Sequence, residues 1–144
     1  MNITSEKKEH YLQILKKSTF PEDAEGIGTF MNQENQPMIA LGFKTHRDMI
    51  TEIGVKIYQD DCPEDLKIFL GVILEYATDN SVMSAHMITP QIIAEHLGIQ
   101  ELPESAFIYA VLAIYTLKDA ISNYAVLRKD MVAEFKQKNE SQNI

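Results

Sequence analysis

Residues 58–65, with the sequence YQDDCPED, contain the only cysteine of the chain, Cys62. A thiolate is both a nucleophile and a soft metal ligand, so covalent or metal chemistry is first expected here. Pro63 suits the first position of a helix, which places Cys62 at or next to the N-cap, near the positive end of the helix dipole. Four carboxylates in the same stretch oppose the dipole, because nearby negative charge raises the pKa of a thiol.

Asp60 and Asp61 offer a second kind of chemistry, since carboxylate oxygens are hard ligands for a divalent cation. The stretch lacks the spaced ligands and the turn glycine of a calcium loop. The alternative is structural. Asp60 or Asp61 would help to cap the following helix, and Glu64 and Asp65 would interact favourably with its dipole.

No other motif in the sequence points to catalysis, although a Ser-His-Asp triad of residues distant in the chain stays open. The four histidines show no two-histidine metal spacing, and each is interpreted as an ordinary surface or half-buried residue. His86 lies in a segment, residues 84–87, that could fold back near Cys62. Gly26 and Gly28 do not form a nucleotide-binding loop, and no nucleophile motif occurs. We therefore expect that the chain is not an enzyme.

Composition limits the classes of protein to which the chain can belong. Its 144 residues, 45% of them apolar, suffice for one sizeable core, so a single domain is expected. A net charge of −8 argues against nucleic acid as a partner. One cysteine cannot form an internal disulfide, and neither a leader nor a long uncharged apolar run is evident. These observations predict a cytoplasmic protein that does not enter a membrane.

The first half of the chain predicts one helix and a small sheet. Residues 2–18 form a helix with Thr4 or Ser5 as its cap, and residues 26–30 form a short extended segment. A polar loop over residues 32–37 precedes two strands, residues 38–45 and 49–58. The second strand alternates apolar and polar residues, which is typical of a half-buried strand.

The second half of the chain predicts helices that cover this sheet. Residues 63–77 are apolar nearly all round and form the central buried helix. A shorter helix is capped by Thr89 and stopped by Gly98, and a long last helix begins at Pro103 and frays after Phe135. The prediction is an α+β fold in two layers, with one domain over residues 1–136 and a disordered tail over 137–144.

Several strings in this order resemble the NifU/IscU-type iron–sulfur cluster assembly scaffold family, whose fold is called SufE/NifU-like. The likeness begins with the amino-terminal helix followed by Phe20-Pro21, and it continues through the hairpin that leads to Cys62. It includes the string ITPQIIAEHLG at 88–98, LPE at 102–104 and LKDAISNY at 117–124. The resemblance implies a three-stranded antiparallel sheet covered by helices, with an amino-terminal helix and a long carboxy-terminal helix.

The resemblance also implies a ligand site made by three loops at one end of the fold. In the family these loops hold a cysteine of a Cys-Gly-Asp motif, a cysteine after the last strand, and a His-Cys pair near the start of the long helix. Here residues 35–38 read NQPM, Cys62 occupies the second position, and Ile108-Tyr109 stands where His-Cys is expected. By resemblance, Cys62 would be the cofactor ligand, with Asp60, Asp61 and Tyr109 as its neighbours at an iron or iron–sulfur site.

Two hypotheses about function follow. The first is a scaffold homologue degenerate in its metal ligands, with a cysteine desulfurase as a candidate partner. The related sulfur-acceptor proteins also work with a single cysteine, although theirs lies in the loop before the first long hairpin strand, where this chain has none. The second is a non-catalytic interaction module that uses its acidic surface to dock a basic partner or to form a homodimer.

Overall fold

The computed structural model describes the backbone of residues 1–142 and the side chains of residues 1–129. It has one amino-terminal helix, three strands and four further helices. In chain order the elements are α1 (Ser5–Lys17), β1 (Gly26–Met31), β2 (Pro37–His46), β3 (Met49–Ile57), α2 (Glu64–Ala77), α3 (Val82–His86), α4 (Pro90–Leu97) and α5 (Glu104–Gln142). The predicted α+β architecture is confirmed.

The three strands form one antiparallel sheet in the order β1-β2-β3. The register pairs Gly28 with Leu41, and Leu41 in turn with Val55. A tight turn joins β2 to β3, and its two central residues, Arg47 and Asp48, both have positive φ angles, 52° and 62°. Positive φ at both positions matches the right-handed twist of the paired strands.

Helix α2 is the centre of the core, as its apolar sequence predicts. Nine of its residues are buried, because α1, α5 and the sheet all pack around it. Gly71 allows the closest of these contacts, since a Cβ there would collide with the backbone carbonyl group of Tyr11 in α1. On the other side of the sheet, the ring of Phe20 covers Gly42.

Helix α5 packs directly along the edge strand β1. Gly26 and Gly28 allow the approach, because a Cβ at either position would collide with the backbone of α5. The side chains of Asn123 and Asp119 accept hydrogen bonds from the amides of Ile27 and Thr29, at 2.9 and 3.1 Å. Edge-strand amides that would otherwise lack partners are thereby satisfied.

The stretch Glu104–Lys129 of α5 is long and apolar enough to span a membrane by length and composition alone. The stretch is not the uncharged run that was considered from the sequence, because it contains Lys118 and Asp119. In the fold, 44% of its most apolar window is buried against the rest of the domain. The same composition is typical of the core helix of a soluble domain.

Some predicted boundaries need correction. Helix α2 begins at Glu64 and Pro63 is its N-cap, so the prediction that Pro63 is the first helical residue is wrong. The short helix α3 was not predicted at all. Thr4 caps α1, and Thr89 and Gly98 bound α4 as expected. The predicted tail, residues 137–144, lies outside the residues whose side chains are described and stays a prediction.

Candidate functional site

The sheet register brings two of the three predicted site segments to one end of the fold. Ile39, near the start of β2, pairs with Ile57, the last residue of β3, and the amide of Tyr58 donates to the carbonyl of Met38 at 2.9 Å. The β1–β2 loop and the β3–α2 segment are therefore neighbours. We call this end of the sheet, with residues 32–36 and 58–63, the loop end.

The start of α5 lies at the loop end as well. Asn123 bonds to Ile27 and Asp119 bonds to Thr29, so α5 runs antiparallel to β1. Tyr109 precedes Asp119 by about 15 Å of helix, which carries it past the Met31 end of β1. It is half-buried against the core. The arrangement of three loops at one end, which the resemblance implies, is thus present in the topology.

Cys62 lies next to the N-cap of α2, but its thiol faces the core. The residue is only 6% exposed, and its Sγ lies 4.0 Å from the carbonyl oxygen of Pro63. Burial raises the pKa of the Cys62 thiol, Lys67 lowers it by a smaller amount, and Asp61 raises it again. The expected rise in pKa is found, but desolvation is its main cause and the carboxylates are secondary. This environment favours a protonated thiol.

Asp60 and Asp61 are exposed on the surface of the loop end. Neither caps α2, because the N-cap residue is Pro63 and no side chain bonds to the first amides of the helix. The prediction of an aspartate cap is therefore wrong. Within the part of the chain that the structure describes, no three or more His, Cys, Asp or Glu side chains are grouped closely enough to hold a metal ion.

The β1–β2 loop satisfies its own backbone polar groups. The Asn32 side-chain oxygen accepts from the amides of Glu34 and Gln36, both at 2.9 Å. Asn35 has a left-handed φ of 63°, which asparagine tolerates better than most residues. The loop carries no thiol, and its amide side chains are not ligands for an iron–sulfur cluster. The loop end thus contributes one buried thiol, the phenols of Tyr58 and Tyr109, and exposed carboxylates.

A cluster that the sequence did not indicate lies at the opposite end of the sheet, beside the β2–β3 turn, which we call the hairpin end. The Tyr124 hydroxyl donates to the Asp48 carboxylate at 2.5 Å. Arg128 forms an ion pair with Asp48 and donates to the Tyr124 oxygen at 2.7 Å. The one sequence signal was that Tyr124 and Arg128 lie four residues apart on one helix face.

His86 lies at the hairpin end, so the idea that its segment folds back near Cys62 is wrong. The amide of Ile50 donates to the carbonyl of Asn80, and that of Val82 donates to the carbonyl of Asp48, at 2.8 and 2.9 Å. These bonds fix α3 beside the β2–β3 turn. Strand β3 has nine residues, so about 30 Å of strand separates this turn from the loop end.

No protein-family model matches the chain, and no curated protein matches it either. One similar solved structure is a protein assigned as an iron–sulfur cluster assembly scaffold for the SUF system, from the thermophile Fervidobacterium islandicum AW-1. The TM-score is 0.59 at 15% identity, with 82% of this chain and 96% of that chain covered.

A second similar structure is the amino-terminal part of a nitrogen-fixing NifU-like protein from Brucella abortus. Its TM-score is 0.46 at 11% identity, over 96% of this chain and 95% of that chain. At such identities the likeness concerns the fold alone. The chain has a divergent form of the NifU/IscU-type fold.

Proposed function

We propose that this protein is a degenerate homologue of the iron–sulfur cluster assembly scaffolds, one that keeps the fold and holds no cluster through its own side chains. The fold likeness supports the first half of this proposal. The second half rests on the chemistry of the loop end. Iron–sulfur clusters are held by several thiolates, with histidine as an occasional replacement.

The observation that carries the proposal is the state of Cys62. It is the only thiol of the chain, it is 6% exposed, and burial raises its pKa. A ligand must be a thiolate that reaches the metal, so binding would require both deprotonation and movement of Cys62 out of the core. Tyr109 and the exposed Asp60 and Asp61 are hard oxygen donors, which replace soft thiolates poorly.

The same residues give no support to catalytic turnover. The Cys62 thiol has the carbonyl of Pro63 as its hydrogen-bond partner, and among the side chains that the structure describes no histidine is bonded to it. An activated cysteine needs an adjacent base or a lowered pKa, and Cys62 has a raised one. We therefore propose that the protein is not an enzyme and that any role in cluster assembly is exerted through contacts with other proteins in the cytoplasm.

An interaction module without any metal or sulfur handling is the second candidate, and the surface of the loop end favours it. Exposed carboxylates of Asp60 and Asp61 lie at the same end as Phe107 and Ile108, which are 47% and 54% exposed. Apolar and acidic side chains at the same end of the fold suit a basic partner protein. A Cys62→Ser variant that keeps partner binding would favour this candidate.

Metal and sulfide analysis of the anaerobically purified protein tests the main proposal. Iron, acid-labile sulfide and the visible spectrum would be measured for the wild type and for Cys62→Ser, before and after reconstitution with iron and sulfide. A scaffold with a full set of cysteines, treated in parallel, shows that reconstitution works. We expect both forms to remain colourless and without stoichiometric metal.

Bound iron and sulfide that disappear in Cys62→Ser would overturn the proposal. Native mass spectrometry extends the test to a cluster shared between two chains, which would appear as one cluster per dimer. Circular dichroism of Cys62→Ser, with Cys62→Ala as a second variant, shows whether either substitution disrupts the fold. If the wild type holds a cluster and a folded Cys62 variant does not, Cys62 is a ligand in a functional site.

A further inference from the structure

A groove at the hairpin end lies about 30 Å of strand away from the loop end. It runs between α3 and α5 and has a volume of about 750 Å³. Its lining is almost entirely apolar where α3 faces α5. The lining residues that matter most are Met83 of α3 and Met87, its C-cap residue, with Ile121, Ala125 and Lys129 of α5.

The groove is fixed in place by the surrounding structure. Two backbone hydrogen bonds tie the segment before α3 to the β2–β3 turn, and the Asp48, Tyr124 and Arg128 side chains tie that turn to α5. Both walls are therefore held to the same turn. A preformed groove costs little ordering when a partner binds, which favours binding.

Two methionines on its rim are unusually exposed. Met83 of α3 is 80% exposed, and Met87, the C-cap residue four positions later, is 66% exposed. Methionine is flexible and polarisable, so methionine-rich surfaces adapt to the apolar face of a partner helix. The groove is also more open to solvent than enclosed. A small molecule would be left largely uncovered there, whereas a helix would need only one face covered.

The charges around the groove indicate the polarity of the partner. Arg128 and Lys129 lie on its α5 side, and among its described lining side chains Asp48 is the one carboxylate. Arg128 already neutralises Asp48 through their ion pair. The described lining therefore keeps one net positive charge, that of Lys129, whereas the whole chain has a net charge of −8. This positive charge favours an acidic partner, while two copies joined groove to groove would bring their cationic residues together.

From this geometry we propose that the groove binds an amphipathic helix of a partner protein, with apolar anchors against Met83, Met87, Ile121 and Ala125 and acidic residues beside Lys129. The apolar anchors would repeat at three-and-four spacing, as in other complexes of a helix in a groove. The proposal does not depend on whether the loop end binds a metal.

Selection from a displayed peptide library tests the proposal. The library holds amphipathic peptides of about 16 residues, long enough for helix formation. They share an apolar face and have polar positions randomised among Asp, Glu, Lys, Arg and Gln. The binding of the peptides enriched on the wild type would then be measured with two variants. Met87→Glu places a negative charge in the groove, and Lys129→Glu reverses the charge at its edge. The matched controls are Tyr115→Glu, an exposed position elsewhere on α5, and Lys17→Glu on α1.

We expect the enriched peptides to be acidic, to bind at least about tenfold more weakly to Met87→Glu and Lys129→Glu, and to bind both controls like the wild type. Enrichment of basic peptides would overturn the proposal, as would no enrichment or equal binding to all variants. Sedimentation of the protein alone tests whether a second copy of this chain occupies the groove. A dimer of the wild type that Met87→Glu dissociates would assign the groove to a second copy and would also overturn the proposal.

Discussion

Replacement of Gly28 by alanine should loosen the packing of α5 on the sheet. This packing positions both the start of α5 and the wall of the groove. A Cβ at residue 28 would collide with the carbonyl oxygen of Thr116 and lie 2.6 Å from the amide nitrogen of Ala120. The second distance is about 0.8 Å short of the 3.4 Å at which ordinary contact begins. Both atoms belong to helix backbone, so no side chain can rotate away.

The helix would have to move, and the cost can be estimated from what it loses. Overpacking of a tight core contact costs about 1–3 kcal/mol. Strain on the bonds from Ile27 and Thr29 to the α5 side chains costs about 1 kcal/mol for each bond that breaks. Alanine returns about 0.5–1 kcal/mol by restricting the unfolded chain. The expected net loss is about 3 kcal/mol, a drop in Tm of about 6–12 °C at this chain length.

Urea unfolding followed by far-ultraviolet circular dichroism measures the free energy of unfolding, and Ile27→Ala is the matched control. Ile27 is the neighbouring residue of the same strand and is 43% exposed, so its truncation should cost less than about 1 kcal/mol. A Gly28→Ala protein that unfolds within about 0.5 kcal/mol of the wild type would refute the reasoning. The packing of α5 on β1 would then be less tight than described.

Three further predictions concern single side chains. The Cys62 thiol should react with Ellman's reagent far more slowly in the native protein than in urea, because it is buried; equal rates would show an exposed thiol. Burial raises the pKa of Tyr11 to about 12, with smaller contributions from Glu75, so ultraviolet titration should show one tyrosine that ionises near pH 12. The pKa of Tyr11 in the folded protein exceeds the unfolded value of about 10. The stability that the protonated Tyr11 contributes is therefore complete below pH 10 and is lost as the pH rises toward 12. A normal titration of every tyrosine would contradict the assignment. Tyr124→Phe should lower the free energy of unfolding by about 1–2 kcal/mol, because the hydrogen bond to Asp48 is lost. The control Tyr115→Phe removes an exposed hydroxyl and should have no effect. Equal effects of the two substitutions would contradict a structural role for the Tyr124 hydroxyl.

Local sequence patterns predicted the helices and strands because each such element is set by residues that are neighbours in the chain. The alternation in β3 and the cap residues Thr4, Thr89 and Gly98 act within a few residues, and the structure places them as expected. The start of α2 was misplaced by one residue, since proline has a suitable φ both at the N-cap and at the first helical position. The five residues of α3 are too few to show a period.

Sequence by itself determined that one cysteine is available and that it lies where a strand gives way to a helix. Tertiary structure decided what this cysteine can do, because burial depends on the packing of α2 against distant segments, and burial sets the pKa of Cys62. The cluster of Asp48, Tyr124 and Arg128 has the same origin. Its members are 76 and 80 residues apart along the chain, and only the antiparallel course of α5 along β1 brings them together.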